Sequence, residues 1–135
     1  MVARVKQHGD GRRVTEGWDR VFEVLSAEPR RQLISSLLDA PPDTTVPLPE
    51  SAINPTNPGD PEHLRQELHH HHLPKLADRS FIDWEPDPLV AGRGPQFDRV
   101  AVVFEALHAA STEIPDSLVS GCQRLEQEQQ EDTEG

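Results

Sequence analysis

The sequence predicts an α+β domain that is mainly helical. Three segments, 17–39, 61–79 and 96–111, carry apolar residues at the three- and four-residue spacing of amphipathic helices. The stretch 41–61 holds seven of the thirteen prolines and therefore excludes a long helix. The segment "SFIDWEPDPLVAG" is typical of two short strands. At 135 residues, the chain is long enough for one such domain with tails.

The charge balance is strongly acidic. The chain has 24 acidic and 13 basic residues, and only Lys6 and Lys75 are lysines. This composition is typical of proteins dissolved in molar salt, where carboxylates hydrate the surface and their repulsion is screened over roughly 3 Å at 1 M. In ordinary cytosol a net charge of −11 would argue against nucleic-acid binding. In molar salt, which the composition predicts here, that argument weakens.

Several classes of protein have little support in the sequence. No run approaches the roughly 20 apolar residues of a membrane helix, and the first residues lack the apolar segment of a secretory signal, so we expect a cytoplasmic protein with no membrane partner. Cys122 is the only cysteine, so no internal disulfide can form. The chain has no Gly-rich phosphate loop and no Gly-x-Ser-x-Gly elbow. We therefore expect neither an enzyme nor a cofactor.

The first helical segment divides at a proline. Two short helices are expected, at 17–25 and 27–39, with Ser26 as N-cap and Pro29 in the first turn of the second helix. Residues 1–16 show no apolar periodicity and predict a flexible basic arm. The apolar stripe of the two helices consists of Trp18, Val21, Phe22, Leu25, Leu33, Ile34, Leu37 and Leu38.

The proline-rich connection, 41–60, leads into the longest predicted helix. Within it we expect only an extended piece at 45–48 and one helical turn at 50–53. Asp60 is the expected N-cap of the next helix, with Pro61 at its first position, and the helix runs to about Arg79.

The order of the remaining elements suggests a fold. Two strands, 81–85 and 88–91, are expected to form a hairpin with its turn at Pro86-Asp87, and a helix follows at 96–111. Residues 119–135 are expected to form a solvated acidic tail. Helix, helix, connection, long helix, hairpin and helix is an order that suits a winged helix-turn-helix with a two-stranded wing, and we assign that domain to 17–118.

Two stretches of the chain resemble a known family. "VLSAEPRRQLISSLL" resembles the first helical pair of arsenic-repressor-type winged-helix regulators. "LHHHHLPKLADRSFIDWEPDPLVAGRGPQFDRV" is similar to the long helix, wing and next helix of small haloarchaeal winged-helix proteins, which carry "HxHLPKL" and "RGPxF" segments. The resemblance covers about 18–118 and implies a DNA-binding transcriptional regulator of archaeal origin. The chain departs from a standard helix-turn-helix at about 49–59, where only one turn fits in place of the first helix of that motif.

The four consecutive histidines have three interpretations. The apolar stripe of a continuous helix passes through positions 71 and 72, so His71 or His72 should face the core, and Pro74 should bend the helix nearby. His69 and His72 lie three residues apart and could share a metal, although they supply only half of a tetrahedral site. Packing or partner contact is the second interpretation. DNA contact is the third.

DNA contact would use the long helix and the wing. A lone arginine between glycines, as in "AGRGP", could reach a phosphate or the minor groove, or could pair with a nearby carboxylate. Against DNA binding, acidic residues of the helix offset its basic ones. The competing hypothesis is a protein-interaction module on the same fold. The predicted DNA-contacting residues are Arg65, His69, His70, Lys75, Arg79 and Arg93.

The predicted partners are double-stranded DNA and a second copy of the chain. A homodimer would suit a helix-turn-helix protein, because such proteins often bind paired half-sites. The residues expected to form the core, and to be available for a dimer seam, are Trp18, Phe22, Val100, Val103, Phe104 and Leu107.

Overall fold

The described part of the chain begins with two helices, of which the first is longer than predicted and the second begins one residue later than predicted. The computed structural model describes residues 10–119, 124–126 and 128. Helix α1 spans Asp10–Leu25 and helix α2 spans Glu28–Asp39. Residues 10–16 of the predicted flexible arm are thus helical, while residues 1–9 lie outside the described residues.

The corner between α1 and α2 is closed by arginine side chains. The last carbonyl groups of a helix have no partner within the helix. Here Arg30 Nε donates to the carbonyl oxygen of Val24 at 2.8 Å, and Arg31 Nη1 donates to that of Leu25 at 2.6 Å. The first turn of α2 therefore caps the end of α1.

The predicted N-cap of α2 is wrong by one residue. Ala27 occupies the N-cap position without a side-chain bond, and Pro29 lies in the first turn as expected. The hydroxyl of Ser26 instead donates to the carbonyl oxygen of Glu23 at 2.6 Å. Ser26 therefore helps to end α1 rather than to begin α2.

The expected two-stranded hairpin is present and is extended to a three-stranded antiparallel sheet. Strands β1 (Thr45–Pro47), β2 (Ile82–Pro86) and β3 (Leu89–Arg93) lie in the order β1-β3-β2. Ala91 pairs with Val46 on one side and Trp84 on the other. The extended piece predicted near 45–48 is therefore the third strand of the sheet.

The long helical segment has three parts, which follow one another without a break. Helix α3 spans Pro61–Glu67, a π-helical turn spans Leu68–His72, and helix α4 spans Leu73–Asp78. The Asp60 carboxylate accepts the backbone N–H of Glu62 at 3.0 Å, which confirms the predicted N-cap. In the connection before it, one 3-10 turn, Glu50–Ala52, is the helical turn predicted there.

The C-terminal part of the described chain packs against α2. Helix α5 spans Phe97–Ala109, and helix α6 spans Asp116–Val119. Leu125 is buried, and Arg124 Nη1 donates to Ser35 Oγ at 2.9 Å. The expectation of a wholly solvated tail is wrong for these two residues; most of the rest of the tail, and Cys122, lie outside the described residues.

The connection from α4 to β2 requires special backbone geometry. Ser80 has φ 63°, and it follows α4 as the left-handed residue of a helix C-cap. Its N–H donates to the carbonyl oxygen of Ala77 at 2.9 Å, and the next N–H, of Phe81, reaches that of Leu76 at 3.1 Å. Gly94 lies so close that a Cβ there would be 2.6 Å from the Ser80 carbonyl oxygen.

The core lies between the sheet and the helices. The expected core positions Val100 and Phe104 are buried, and Val103 is half-buried. Trp18, Phe22 and Leu107 are 50%, 53% and 48% exposed, so their assignment to the core is wrong. No helix among the described residues has the length and apolarity needed to cross a membrane. The largest fully buried apolar side chains are those of Phe97, Leu33, Ile34, Leu37, Leu68, Leu73, Leu76, Ile82, Val24 and Val100.

Candidate functional site

The histidines occupy a π-helical turn. The N–H of Leu73 donates to the carbonyl oxygen of Leu68, five residues earlier. Pro74 has no N–H, and in an α-helix its ring would press on the carbonyl group of His70. The wider turn relieves that contact, which explains why the irregularity predicted at the proline takes this form.

His72 is the histidine that faces the core. It is 6% exposed, and its Nδ1 lies 2.8 Å from Nη1 of Arg30, which is itself 3% exposed. Because a guanidinium can only donate, Nδ1 accepts and the proton of the neutral ring belongs on Nε2. Burial, reinforced by the charge of Arg30, lowers the pKa of His72 to about 4. His72 is therefore neutral at pH 7 and holds the long helix against the α1–α2 corner.

His69, His70 and His71 are exposed on the outer side of the π turn. The ring of His69 meets the ring of Trp84 edge to face, with 5.4 Å between centroids, and the ring of His70 lies 5.0 Å from that of His69. Trp84 belongs to β2. The outer histidines therefore connect the long helix to the hairpin in one continuous surface.

The suggested metal pair does not share one environment. His69 contacts Trp84 on the hairpin, whereas Nδ1 of His72 is bonded to Arg30 in the interior. Within the described part of the chain, no three His, Cys, Asp or Glu side chains are grouped closely enough to hold a metal ion. Packing and hydrogen bonding account for His72.

Two of the predicted DNA-contacting cations are paired with one carboxylate. Lys75 Nζ lies 2.9 Å from Glu23 Oε2, and Arg79 Nη2 lies 3.3 Å from Glu23 Oε1. Hydrogen bonds from Lys75 and then Arg79 lower the pKa of the Glu23 carboxyl group. These contacts connect α4 to α1, so Lys75 and Arg79 can reach DNA only by leaving or sharing Glu23.

Arg93 is fastened to the end of α2. Its Nη2 donates to the carbonyl oxygens of Leu37 at 2.9 Å and Ala40 at 3.3 Å. Its guanidinium carbon lies 5.0 Å from the centre of the Phe97 ring. Arg93 therefore caps the C-terminal end of a helix. This arrangement differs from both roles considered from the sequence, which were contact with DNA and an ion pair with a carboxylate.

The exposed charges around the long helix are of both signs. Arg65 is exposed on α3, and its side chain forms no ion pair or hydrogen bond with the other described residues. The hairpin exposes Asp83, Glu85 and Asp87. The surface formed by the long helix and the hairpin therefore combines Arg65 and three exposed histidines with an acidic hairpin.

Arg30 is the important residue that the sequence reasoning missed. It lies three, four and seven residues before Leu33, Ile34 and Leu37, which are fully buried. That spacing extends the apolar stripe of α2 back to an arginine. An arginine at a core position predicts a buried polar partner, and this signal could have led to His72.

Comparisons with known proteins identify no relative. A scan against protein-family models gives no match, and searches of curated proteins and of solved structures give no significant match.

Proposed function

We propose that the protein is a winged-helix DNA-binding protein that acts as a transcriptional regulator. The observation that carries this proposal is connectivity: α2 leads to β1, a helical turn, the long helix and then the hairpin, and β1 pairs with β3. In a winged helix this order sets one helix beside the wing, available to the major groove. The resemblance of two sequence segments to haloarchaeal winged-helix proteins implies the same function.

The middle of the long helix is the part best suited to touch DNA. Arg65, His69 and His70 are exposed, and arginine and histidine side chains can hydrogen-bond to base edges. Such contacts do not depend on net charge. This matters for a chain with a net charge of −11, because molar salt removes most of the affinity gained by counterion release.

The test is selection of bound sequences from a random duplex library at ~2 M KCl, where base and shape contacts dominate. We expect an enriched motif with the natural protein. The triple variant Arg65→Ala, His69→Ala, His70→Ala should lose the enrichment and keep its circular dichroism spectrum. The matched control, Arg12→Ala with Arg20→Ala, changes exposed arginines on α1 and should select the same motif. Failure of the natural, folded protein to enrich any motif would contradict the proposal.

A second function, a protein-interaction module on the same fold, is favoured by the acidic hairpin. Asp83, Glu85 and Asp87 would repel a phosphate backbone. Only a 3-10 turn occupies the segment 50–52, where a helix-turn-helix would have its first helix. Affinity capture with and without nuclease separates the two functions. A stoichiometric protein that survives nuclease treatment would support the module, and loss of all captured material would count against it.

We include a homodimer in the proposal. Phe22 and Leu107 expose large apolar side chains at 53% and 48%, and exposed apolar residues are a feature of subunit interfaces. Light scattering should give twice the chain mass for the natural protein and a monomer for Phe22→Ser with Leu107→Ser. Leu118→Ser, at a side chain 65% exposed on α6, is the control. A natural protein that is monomeric at high concentration would exclude the dimer.

A further inference from the structure

A groove lies between α1, the α4–β2 connection and the beginning of α5. Its volume is about 620 Å³, within the range of roughly 300–1,000 Å³ that is typical of small-molecule sites. Val21 and Phe81, both buried, form part of its lining. The groove is thus continuous with the core but opens at the surface.

The walls of the groove expose apolar side chains. Val14 and Trp18 of α1 are 58% and 50% exposed, and Val102 of α5 is 62% exposed. An indole ring beside two aliphatic side chains offers a surface on which a flat or aliphatic molecule can pack. Covering these side chains would remove apolar area from water, which is the main favourable term in most binding reactions.

The charged residues of the lining are mostly cationic. Arg20, Arg79 and Arg99 line the groove with one carboxylate, that of Asp78. Within the described residues, neither Arg20 nor Arg99 forms an ion pair. Arg79 and Lys75 both form ion pairs with the carboxylate of Glu23. A chain with only 13 basic residues against 24 acidic ones thus places three arginines at one groove.

One of these arginines has an unused donor. Arg79 Nε is buried and lacks a hydrogen-bond partner in the structure. A buried donor left unpaired lowers the stability of the folded protein. Because Nε is closed to solvent, a ligand in the groove would not reach it, and recognition of an anion depends on Arg20 and Arg99.

The wall opposite α1 is held in place before any ligand binds. Ser80 lies there with its left-handed backbone. The N–H of Gln96, at the start of α5, donates to the Ser80 carbonyl oxygen at 2.8 Å. This bond fixes the spacing between the two elements that form the wall, and a preformed site reduces the entropy lost on binding.

We propose that this groove binds a small organic anion with an apolar body, such as an aromatic or aliphatic carboxylate. The apolar body packs against Trp18 and Val102, and the anionic group meets the guanidinium groups of Arg20 and Arg99. The proposal does not depend on the DNA-binding function, since Trp18, Arg20, Arg99 and Val102 lie on α1 and α5, outside the surface formed by the long helix and the hairpin. Of the residues that line the groove, Arg79 alone is also a predicted DNA-contacting residue.

The test uses two fluorescent probes that differ mainly in charge, on the full chain in 1 M KCl. 8-Anilinonaphthalene-1-sulfonate carries an anionic group, and N-phenyl-1-naphthylamine is its neutral counterpart. We expect saturable binding of one sulfonate probe per chain. In a Trp84→Phe background, where Trp18 is the only tryptophan, the same titration should quench the protein fluorescence.

Variants separate recognition of charge from apolar adsorption. Arg20→Gln with Arg99→Gln should weaken sulfonate binding by about tenfold or more, as loss of charge-assisted hydrogen bonds predicts, and leave the neutral probe almost unchanged. Arg12→Gln with Arg65→Gln is the control and should bind both probes as the natural protein does. Circular dichroism establishes that each variant is folded.

The proposal would be overturned if the folded natural protein did not bind the sulfonate probe saturably. It would also be overturned if the groove variant lost affinity equally for both probes, or if the control variant lost as much affinity for the sulfonate probe as the groove variant. The first of these results would also be obtained if a second copy of the chain or its acidic tail occupied the groove. Light scattering and removal of residues 129–135 would then distinguish these occupants.

Discussion

Arg30 and His72 form a buried hydrogen bond of 2.8 Å between the corner of the first two helices and the histidine-rich turn. Arg30 also donates to the carbonyl oxygens of Val24 at 2.8 Å and Glu23 at 3.0 Å. One guanidinium therefore joins the end of α1, the beginning of α2 and the long helix. The orientation of the proposed DNA-contacting helix depends on this contact.

The first prediction concerns the pH dependence of stability. Folding lowers the pKa of His72 from 6.5 to about 4, so between these values the unfolded chain binds the proton more readily than the folded chain. The free energy of unfolding should fall as pH decreases from about 6.5 to about 4, by roughly 2–4 kcal/mol from His72 alone. Denaturant unfolding at several pH values measures it.

Two variants isolate the contribution of His72. His72→Gln removes the titrating group, so its stability should fall less than that of the natural protein over the same pH range. His70→Gln changes an exposed neighbour and should retain the natural pH dependence. The buried His108, whose pKa is also lowered by burial, contributes in the same direction to all three proteins. Identical pH profiles for the natural protein and His72→Gln would contradict the assignment.

The second prediction concerns Arg93, which we expect to act in stability rather than in DNA contact. Arg93→Ala leaves the carbonyl groups of Leu37 and Ala40 without their donor and removes the contact with Phe97. The expected loss is about 1.5–3 kcal/mol in the free energy of unfolding. Arg93→Lys should not restore it, because an ammonium group lacks the planar fork. Full stability in either variant would refute this role.

The third prediction concerns the close approach at Gly94. A Cβ on this residue would lie 2.6 Å from the Ser80 carbonyl oxygen and 2.8 Å from the Ile82 nitrogen. Gly94→Ala should therefore reduce the free energy of unfolding by about 2 kcal/mol or more. Gly17→Ala is the matched control: a Cβ there has no atom within 4 Å, and it should raise helix stability by about 0.5–1 kcal/mol. Equal effects at both positions would show that the wall is more adaptable than the structure indicates.

The fourth prediction concerns Glu23 and rests on the proposed DNA binding. Glu23→Gln releases Lys75 and Arg79 from their shared carboxylate. If both cations then reach phosphates, the slope of log K against log salt should become steeper by about 1.8. Titration of one duplex at several KCl concentrations measures the slope. Glu105→Gln, on α5, is the control and should leave the slope unchanged. An unchanged slope for Glu23→Gln would show that Lys75 and Arg79 do not contact DNA phosphates.

Local signals in the sequence were sufficient for most of the elements. Asp60 before Pro61 predicted a helix start because both residues act on the backbone next to them. The prolines of the connection excluded a helix for the same reason. His71 or His72 was expected in the core from helical periodicity, and the structure assigns that position to His72. Each of these inferences uses only residues within one or two helical turns.

The inferences that failed required contacts between distant parts of the chain. Pairing of β1 with β3 joins residues 45–47 to 90–92, and no local pattern reports such a register. Trp18 and Phe22 continue an apolar stripe, yet the other elements cover only the side of α1 that carries Val21 and Val24. Arg93 looked available because its flanking glycines are local, whereas the carbonyl groups to which it donates lie at the C-terminal end of α2, more than 50 residues earlier. The surface was consequently predicted less well than the elements.

The two outer strands of the sheet also bear on aggregation. β1 has three residues and ends at Pro47, and β2 ends at Pro86; short edge strands and proline both hinder the addition of a strand from another molecule. Asp83 and Glu85 would also repel another edge, but molar salt screens that repulsion over a few ångströms. A missing N–H and a short strand do not depend on ionic strength. The prolines can therefore keep the sheet edges unpaired at salt concentrations where the acidic surface no longer keeps molecules apart.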